Sequence, residues 1–264
     1  MNEHYSYFYE LMNISIIGTG NLAFHFSEIF MSNIDINLIE IFGRKKTLPK
    51  EFNNSINYCN CLTKLKEADF YIICVSDDYI KKISKKITTK RNNIVLHCSG
   101  STKMDVLSDH LSHGVFYPIQ TFSKEKKISF KEIPIAIESN SDRNLKKIRK
   151  LGSLLSEKVL IASSNQRLAI HVSAVFANNF TNYMRVIADE ILKSNSIDTN
   201  ILNPLTVETT EKLKFLNSKN AQTGPAIRND IKTIKKHLHL LKGSNHFKIY
   251  ETISKEITKL NNEL

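Results

Sequence analysis

Gly18-Thr19-Gly20-Asn21-Leu22-Ala23 has the form G-x-G-x-x-A. It lies between a short apolar run, Ile14-Ser15-Ile16-Ile17, and a stretch in which Leu22, Phe26, Ile29 and Phe30 follow helical spacing. In a strand–turn–helix unit the first glycine permits a tight turn, and the second lets backbone N–H groups come close to a pyrophosphate. A small residue at the third position lets the helix pack against the strand with its positive end toward the phosphates. The chain holds only eight glycines, which favours this reading over an ordinary glycine turn. Gly18, Thr19, Gly20, Asn21, Leu22 and Ala23 are therefore expected to seat a dinucleotide.

The rest of the first half agrees with such a unit. Strand-like runs at Ile36 to Phe42, Phe70 to Val75, Ile94 to Cys98, Val115 to Tyr117, Ile133 to Ile137 and Val159 to Ile161 alternate with helical or polar stretches. This is the pattern of a mostly parallel sheet wrapped by helices, and a helix is expected from Thr102. After Ala162 no strand signal remains. Ser163 and Ser164 can cap a long helix running to about Lys193. Pro225 is expected to open another helix and Ser244 a third. The expected class is α/β: a Rossmann domain over residues 12–162, then an all-α domain over 163–264. About 100 residues make a small core, so packing of the helical part against a second copy is expected.

Which dinucleotide is held turns on the end of the second strand, Phe42-Gly43-Arg44-Lys45-Lys46. An NAD site places an acid there for the ribose 2′-hydroxyl, whereas a 2′-phosphate wants cations. Arg44 can stack on adenine and pair with the phosphate, so NADP is favoured. Glu40, on the strand itself, argues for NAD, and a plain basic loop is the bland alternative. Ligands of open α/β sheets bind beyond the carboxyl ends of the strands. That places Ser76 and Ser99-Gly100-Ser101 on the nicotinamide side, and Tyr117 to Thr121 could line the same cleft.

The charge balance of +11 raises the question of nucleic acid, but the lysines are spread along the chain without interleaved aromatics, and we read them as a solvated surface. Cys59 and Cys61 lack a second pair or a neighbouring histidine, so no metal is expected. Cys74 and Cys98 lie in apolar runs, where a reduced thiol behaves as a small hydrophobe. No apolar run reaches the roughly 18–20 residues of a membrane span. Met1 to Leu11 carries Glu3 and Glu10 and no basic residue, unlike the start of a signal peptide. A cytoplasmic protein without membrane or nucleic-acid partners is expected.

In the helical half, Arg167, His171, Ala174, Asn178, Asn182 and Arg185 fall within about 80° of one another on an ideal helix. Such a stripe could border a cleft or face solvent. His171 can donate a proton near neutral pH or be a satisfied structural histidine. In Gln222-Thr223-Gly224-Pro225-Ala226-Ile227-Arg228-Asn229-Asp230, Pro225 suits a first helical turn, which would make Thr223 and Gly224 an anion-binding mouth reinforced by Arg228.

The Gly18–Ala23 loop, His97 to Ser101, Tyr117-Pro118-Ile119-Gln120-Thr121-Phe122-Ser123, His171 to Phe180 and Gln222 to Asp230 together resemble one family. It is the family of Rossmann-like NADP oxidoreductases whose helical C-terminal part is domain of unknown function 2520, related to pyrroline-5-carboxylate reductase and ketopantoate reductase. The resemblance implies a dimerising helical domain and an active site between domains. In the related β-hydroxyacid dehydrogenases a catalytic lysine stands near the place of His171, with an asparagine one turn later where this chain has Val175. We therefore expect an NADP-dependent oxidoreductase, acting as a homodimer on a small carbonyl or imine, one bearing a carboxylate. His171, Asn178 and Ser99 are the catalytic candidates, and Gln222, Thr223 and Arg228 would receive the substrate. A non-catalytic NADP-binding sensor with the same fold is the alternative.

Overall fold

The computed structural model describes residues 11–262; the opening segment considered as a leader lies outside them, apart from Leu11. Strand β1 (Met12–Ile17), helix α1 (Asn21–Ser32) and strand β2 (Ile36–Phe42) form the first unit of the sheet. There follow β3 (Tyr58–Cys59), β4 (Phe70–Ile73), α2 (Asp77–Ser84), β5 (Ile94–His97), β6 (His113–Pro118), β7 (Ile135–Ser139), α3 (Asp142–Leu155) and β8 (Val159–Ile161). The eight strands lie in the order β3-β2-β1-β4-β5-β6-β7-β8. Every neighbouring pair is parallel except β6 and β7.

Alternate residues of a strand face opposite sides of a sheet, and the buried residues divide accordingly. Ile14, Ile16, Ile72, Ile94 and Leu96 join one core cluster, while Ile17, Tyr71, Ile73 and Val95 join the other. The first cluster is aromatic at its centre: Phe26 stacks on Phe30 and Phe130 at 5.1 and 5.6 Å and meets Phe116 at 5.8 Å. Burial on both faces explains why the central strands read as continuous apolar runs.

Two elements escape the sequence reading, and one expected element is absent. The strand β3 is two residues long, too short for any periodicity. Helix α3 begins at Ser141, whose hydroxyl accepts the Asn144 N–H. The helix expected from Thr102 is only a 3₁₀ turn, Met104–Leu107. Ser99 Oγ accepts the N–H groups of Ser101 and Thr102 at 3.2 and 2.9 Å, and such local bonds compete with a helical ladder.

The remaining elements are helices: α4 (Ser164–Ala174), a π-helical turn (Val175–Phe180), α5 (Thr181–Ser194), α6 (Asn203–Lys212), α7 (Ile231–Leu240) and α8 (Phe247–Asn262). A capping box of Ser163 and Gln166 starts α4. By contacts the chain divides between Asn179 and Phe180. The sheet unit thus keeps α4 and most of the π turn, beyond the Ala162 boundary expected from sequence.

The polar stripe is corrected: a π turn interrupts the helical run, so ideal-helix spacing does not carry across it, and Arg167 is buried in the first unit. Arg185 is bound in the second unit, to Asp189, Thr206, Asn203 and the Thr199 carbonyl at 2.7–3.0 Å. The helix expected at Pro225 is corrected too. Residues 225–229 form turns, with Gly224 and Asn229 at φ of 109° and 53°. The helix starts at Ile231, where the Asp230 carboxylate caps the Thr233 N–H.

The dinucleotide-type loop depends on one close approach. Gly18 has φ +130°, and a Cβ there would lie 2.1 Å from the Cys74 carbonyl oxygen at the end of β4. Backbone on backbone cannot yield cheaply. We expect Gly18→Ala to destabilise the protein by about 2–4 kcal/mol through strain and overpacking, read as a lower midpoint in urea unfolding.

Candidate active site

The sheet order turns back between β1 and β4, which sit side by side with their crossovers running in opposite directions. Ligands of open α/β sheets bind at such a switch point. Here it opens as a cleft of about 470 Å³ lined by Gly18, Thr19, Gly20, Asn21, Leu22, Arg44, Ser76 and Ser99 among others. Of the other expected cofactor residues, Ala23 is fully buried in the first turn of α1, and Gly100 and Ser101 are not part of the lining.

The cleft suits an anion held by backbone. Gly20 is the N-cap of α1, without a side-chain cap and without an acid in the first turn. The leading N–H groups of that helix are therefore left to a ligand. A Cβ on Gly20 would meet no protein atom within 4 Å. Packing does not demand glycine there, whereas close approach of a phosphate would. Asn21 is spent differently: its amide donates to the Phe122 carbonyl at 2.8 Å.

At the end of β2, Arg44 lines the cleft with its guanidinium 5.8 Å from the Tyr79 ring centroid. Glu40 is 3% exposed and accepts the Lys66 N–H. It serves the fold, so the one residue that argued for NAD is withdrawn from that role.

On the far side of the cleft, Ser99 and Ser101 converge on Asp77, their hydroxyls 2.7 and 2.6 Å from Oδ2. Asp77 was not singled out from sequence. Its signal is an acid in the first turn of a helix that follows a switch-point strand.

Arg167 lies 1% exposed. Its Nε donates to the Ser99 carbonyl at 3.1 Å, and its terminal nitrogens reach the Thr102 carbonyl and the Glu138 carboxylate. Glu138 also accepts from the N–H of Ser164 at 2.9 Å. This cluster ties the start of α4 to the 99–102 loop. Arg167 is therefore a structural clamp and is not part of an open polar stripe.

One turn beyond Arg167, His171 Nδ1 lies 3.1 Å from the Tyr117 hydroxyl. A Cβ on Gly100 would come within 2.8 Å of both rings, so this glycine is required by the packing of His171 and Tyr117. Burial is the main cause raising the Tyr117 pKa; the Asp77 charge acts in the same sense and Arg167 in the opposite one. Tyr117, His171 and Asn178 line a second cavity of about 400 Å³ together with Gln120, Thr121 and Asn179. Two catalytic candidates, His171 and Asn178, thus share one cavity, while Ser99 lines the neighbouring cleft. A π turn at this point is a feature often met at functional sites.

Gln222, Thr223 and Arg228 belong to the second unit. The Gln222 amide donates to the Thr223 carbonyl at 3.0 Å, and Arg228 is exposed on a turn. The anion-binding mouth expected at Thr223 and Gly224 is not formed, because no helix starts there.

Fold and cleft define the class: a Rossmann sheet with a dinucleotide-type loop at its switch point. Residues 133–257 match the model of domain of unknown function 2520. The chain is 33% identical to a Bacteroides fragilis protein whose crystal structure is described as a putative NADP oxidoreductase, with a TM-score of 0.85 over 95% of this chain and 99% of that one. The chain belongs to this family of Rossmann-like NADP oxidoreductases. The fold is shared more widely. Pyrroline carboxylate reductase of Plasmodium falciparum, with NADP bound, aligns at 10% identity and a TM-score of 0.61, over 96% of this chain and 99% of that one. An imine reductase of Myxococcus stipitatus in complex with NADP+ aligns at 12% identity and a TM-score of 0.63, over 95% and 93%. No curated protein matches the sequence.

The scaffold beneath the site carries a pH dependence. His97, fully buried at the end of β5, accepts the Ser99 N–H at 3.2 Å. Burial first, then the Arg167 charge, brings its pKa down to about 4 from an ordinary 6.5. The unfolded chain then binds the extra proton at a higher pH than the folded one. Stability from the neutral ring is complete above pH 6.5 and is lost as pH falls from about 6.5 to 4, by about 3 kcal/mol. Urea unfolding of the wild type between these values should show the decline, and His97→Gln should flatten it.

Proposed function

We propose that this chain is an NADP-dependent reductase of a small carbonyl or imine compound. The observation that carries the reading is a pair of neighbouring sites. An uncapped, acid-free helix N-terminus opens on the cleft, and an imidazole–phenol pair lines the cavity beside it. Ser99 borders the first, and Gly100, the next residue, touches both rings of the second.

Gly18, Thr19, Gly20, Asn21 and Leu22 would hold the pyrophosphate, with Ala23 letting α1 approach. Arg44 would hold the 2′-phosphate, and Ser76, Ser99, Gly100 and Ser101 the nicotinamide side. The bound cofactor supplies the hydride; the protein supplies position and charge. His171 would donate the proton or orient the substrate, assisted by Asn178. The cavity in the sheet unit offers amides, hydroxyls and an imidazole but no lysine or arginine. For the anionic end of a substrate we propose Gln222, Thr223 and Arg228, on this chain or on a second copy.

We also place the protein in the cytoplasm as a homodimer. All four cysteines are free thiols, which suits a reducing compartment. No helix among the described residues is long and apolar enough to cross a membrane. The helical unit exposes Leu205, Val207, Leu213, Phe215 and Leu216, Phe215 to 85%, and apolar surface of this kind marks an interface.

Calorimetry with NADPH and NADH tests the cofactor. NADPH should bind more tightly, and Arg44→Ala should weaken it by about 10- to 100-fold, the worth of charge-assisted hydrogen bonds, while weakening NADH much less, through the lost adenine stack alone. Gly20→Ala should weaken both nucleotides with little change in stability. Equal affinity for the two would remove Arg44 from its role. A panel of small oxo acids and cyclic imines, followed by NADPH absorbance, tests the reaction. His171→Gln should slow turnover by about 10²-fold and keep NADPH affinity. A protein that binds NADPH and oxidises it with no member of the panel would be the sensor instead.

A further inference from the structure

We propose that Tyr117 is the source of the proton that His171 delivers, and that this relay fits the site to carbonyl substrates over imines; the proposal rests on the reductase reading above. Among the described residues the Tyr117 hydroxyl makes one hydrogen bond, to His171 Nδ1 at 3.1 Å. A half-buried phenol needs an acceptor for its proton, and Nδ1 is the acceptor it has. With the phenol proton directed at Nδ1, the neutral imidazole carries its own proton on Nε2. That nitrogen has no partner among the described residues, and the ring lines the cavity that also holds Asn178 and Gln120.

The relay balances. When hydride forms the new C–H bond, the π pair of the carbonyl moves to oxygen. The Nε2–H bond breaks as the substrate O–H forms, and the Tyr117 O–H breaks as Nδ1–H forms. What remains is a neutral imidazole donating from Nδ1 to a phenolate, which water reprotonates. An alkoxide is a far stronger base than a phenolate, so the transfer runs downhill. The fixed Arg167 cation offsets part of the cost of the phenolate, against the opposing charge of Asp77. An imine is different: it is reduced as the iminium cation, and the cavity lining offers no carboxylate to stabilise that charge. Tyr117 is thus a positioning and relay residue, and Gly100 is the residue whose lack of a side chain lets the two rings meet.

Imidazole nitrogen NMR of the wild type, with His171 assigned by its loss in His171→Gln, tests the geometry without cofactor or substrate. The neutral ring should be the Nε2–H tautomer, and Tyr117→Phe should turn it into a mixture. With a carbonyl substrate, Tyr117→Phe should lower kcat by about 10²-fold and leave KM and NADPH affinity unchanged, while cyclic imines go unreduced by the wild type. A wild-type Nδ1–H tautomer overturns the relay even if the variant does not fold. So does a Tyr117→Phe protein with wild-type spectrum and kcat, and so does reduction of imines as fast as carbonyls. Failure to bind NADPH would sink the reductase reading and the relay with it, whereas an Nδ1–H tautomer in a protein that binds NADPH overturns the relay alone.

Discussion

The site rests on a buried cation. Placing the Arg167 guanidinium out of water is costly, and the structure offsets the cost with the Glu138 carboxylate and the carbonyls of Ser99 and Thr102. Those partners belong to β7 and to the loop after β5. The same set of bonds therefore fixes where α4 begins and where the loop ends. His171, one turn further along α4, inherits its place over Gly100 and beside Tyr117 from that clamp. Loss of one partner would leave a charge buried and unpaired, so the cluster holds together as a unit.

Charge is distributed with a consistent logic around the two hollows. The cleft presents N–H groups and Arg44 where an anion would lie, and the nearest acid on β2, Glu40, is turned into the fold. Asp77 gathers the hydroxyls of Ser99 and Ser101, which stiffens the loop between cleft and cavity. The hydroxyls expected to reach a cofactor are thereby engaged with a carboxylate first, and they would serve the nicotinamide side through the shape of the loop and its backbone.

Much of this was legible from residue order. The central strands announced themselves as short apolar runs because both faces of the sheet are covered. The loop at Gly18 announced itself because a backbone that tight tolerates little else. His171 and Asn178 were chosen on helical spacing and on family resemblance, and they do line one cavity. What spacing could not supply was the π turn at Val175–Phe180, which breaks the ideal-helix register on which a stripe from Arg167 to Arg185 depends. Pro225 misled because proline suits a helix start, yet here Gly224 and Asn229 take left-handed conformations and Asp230 supplies the cap.

The sequence by itself determined the parallel sheet, its dinucleotide-type loop and the helical second half, since these follow from local periodicity and from the steric needs of glycine. Only the tertiary structure decided that Arg167 is a clamp, that Glu40 is spent on the backbone of Lys66, and that Tyr117 faces His171. Each of those outcomes joins residues far apart in the chain. The partner that satisfies a buried charge or phenol is set by packing in space, which no short stretch of sequence encodes.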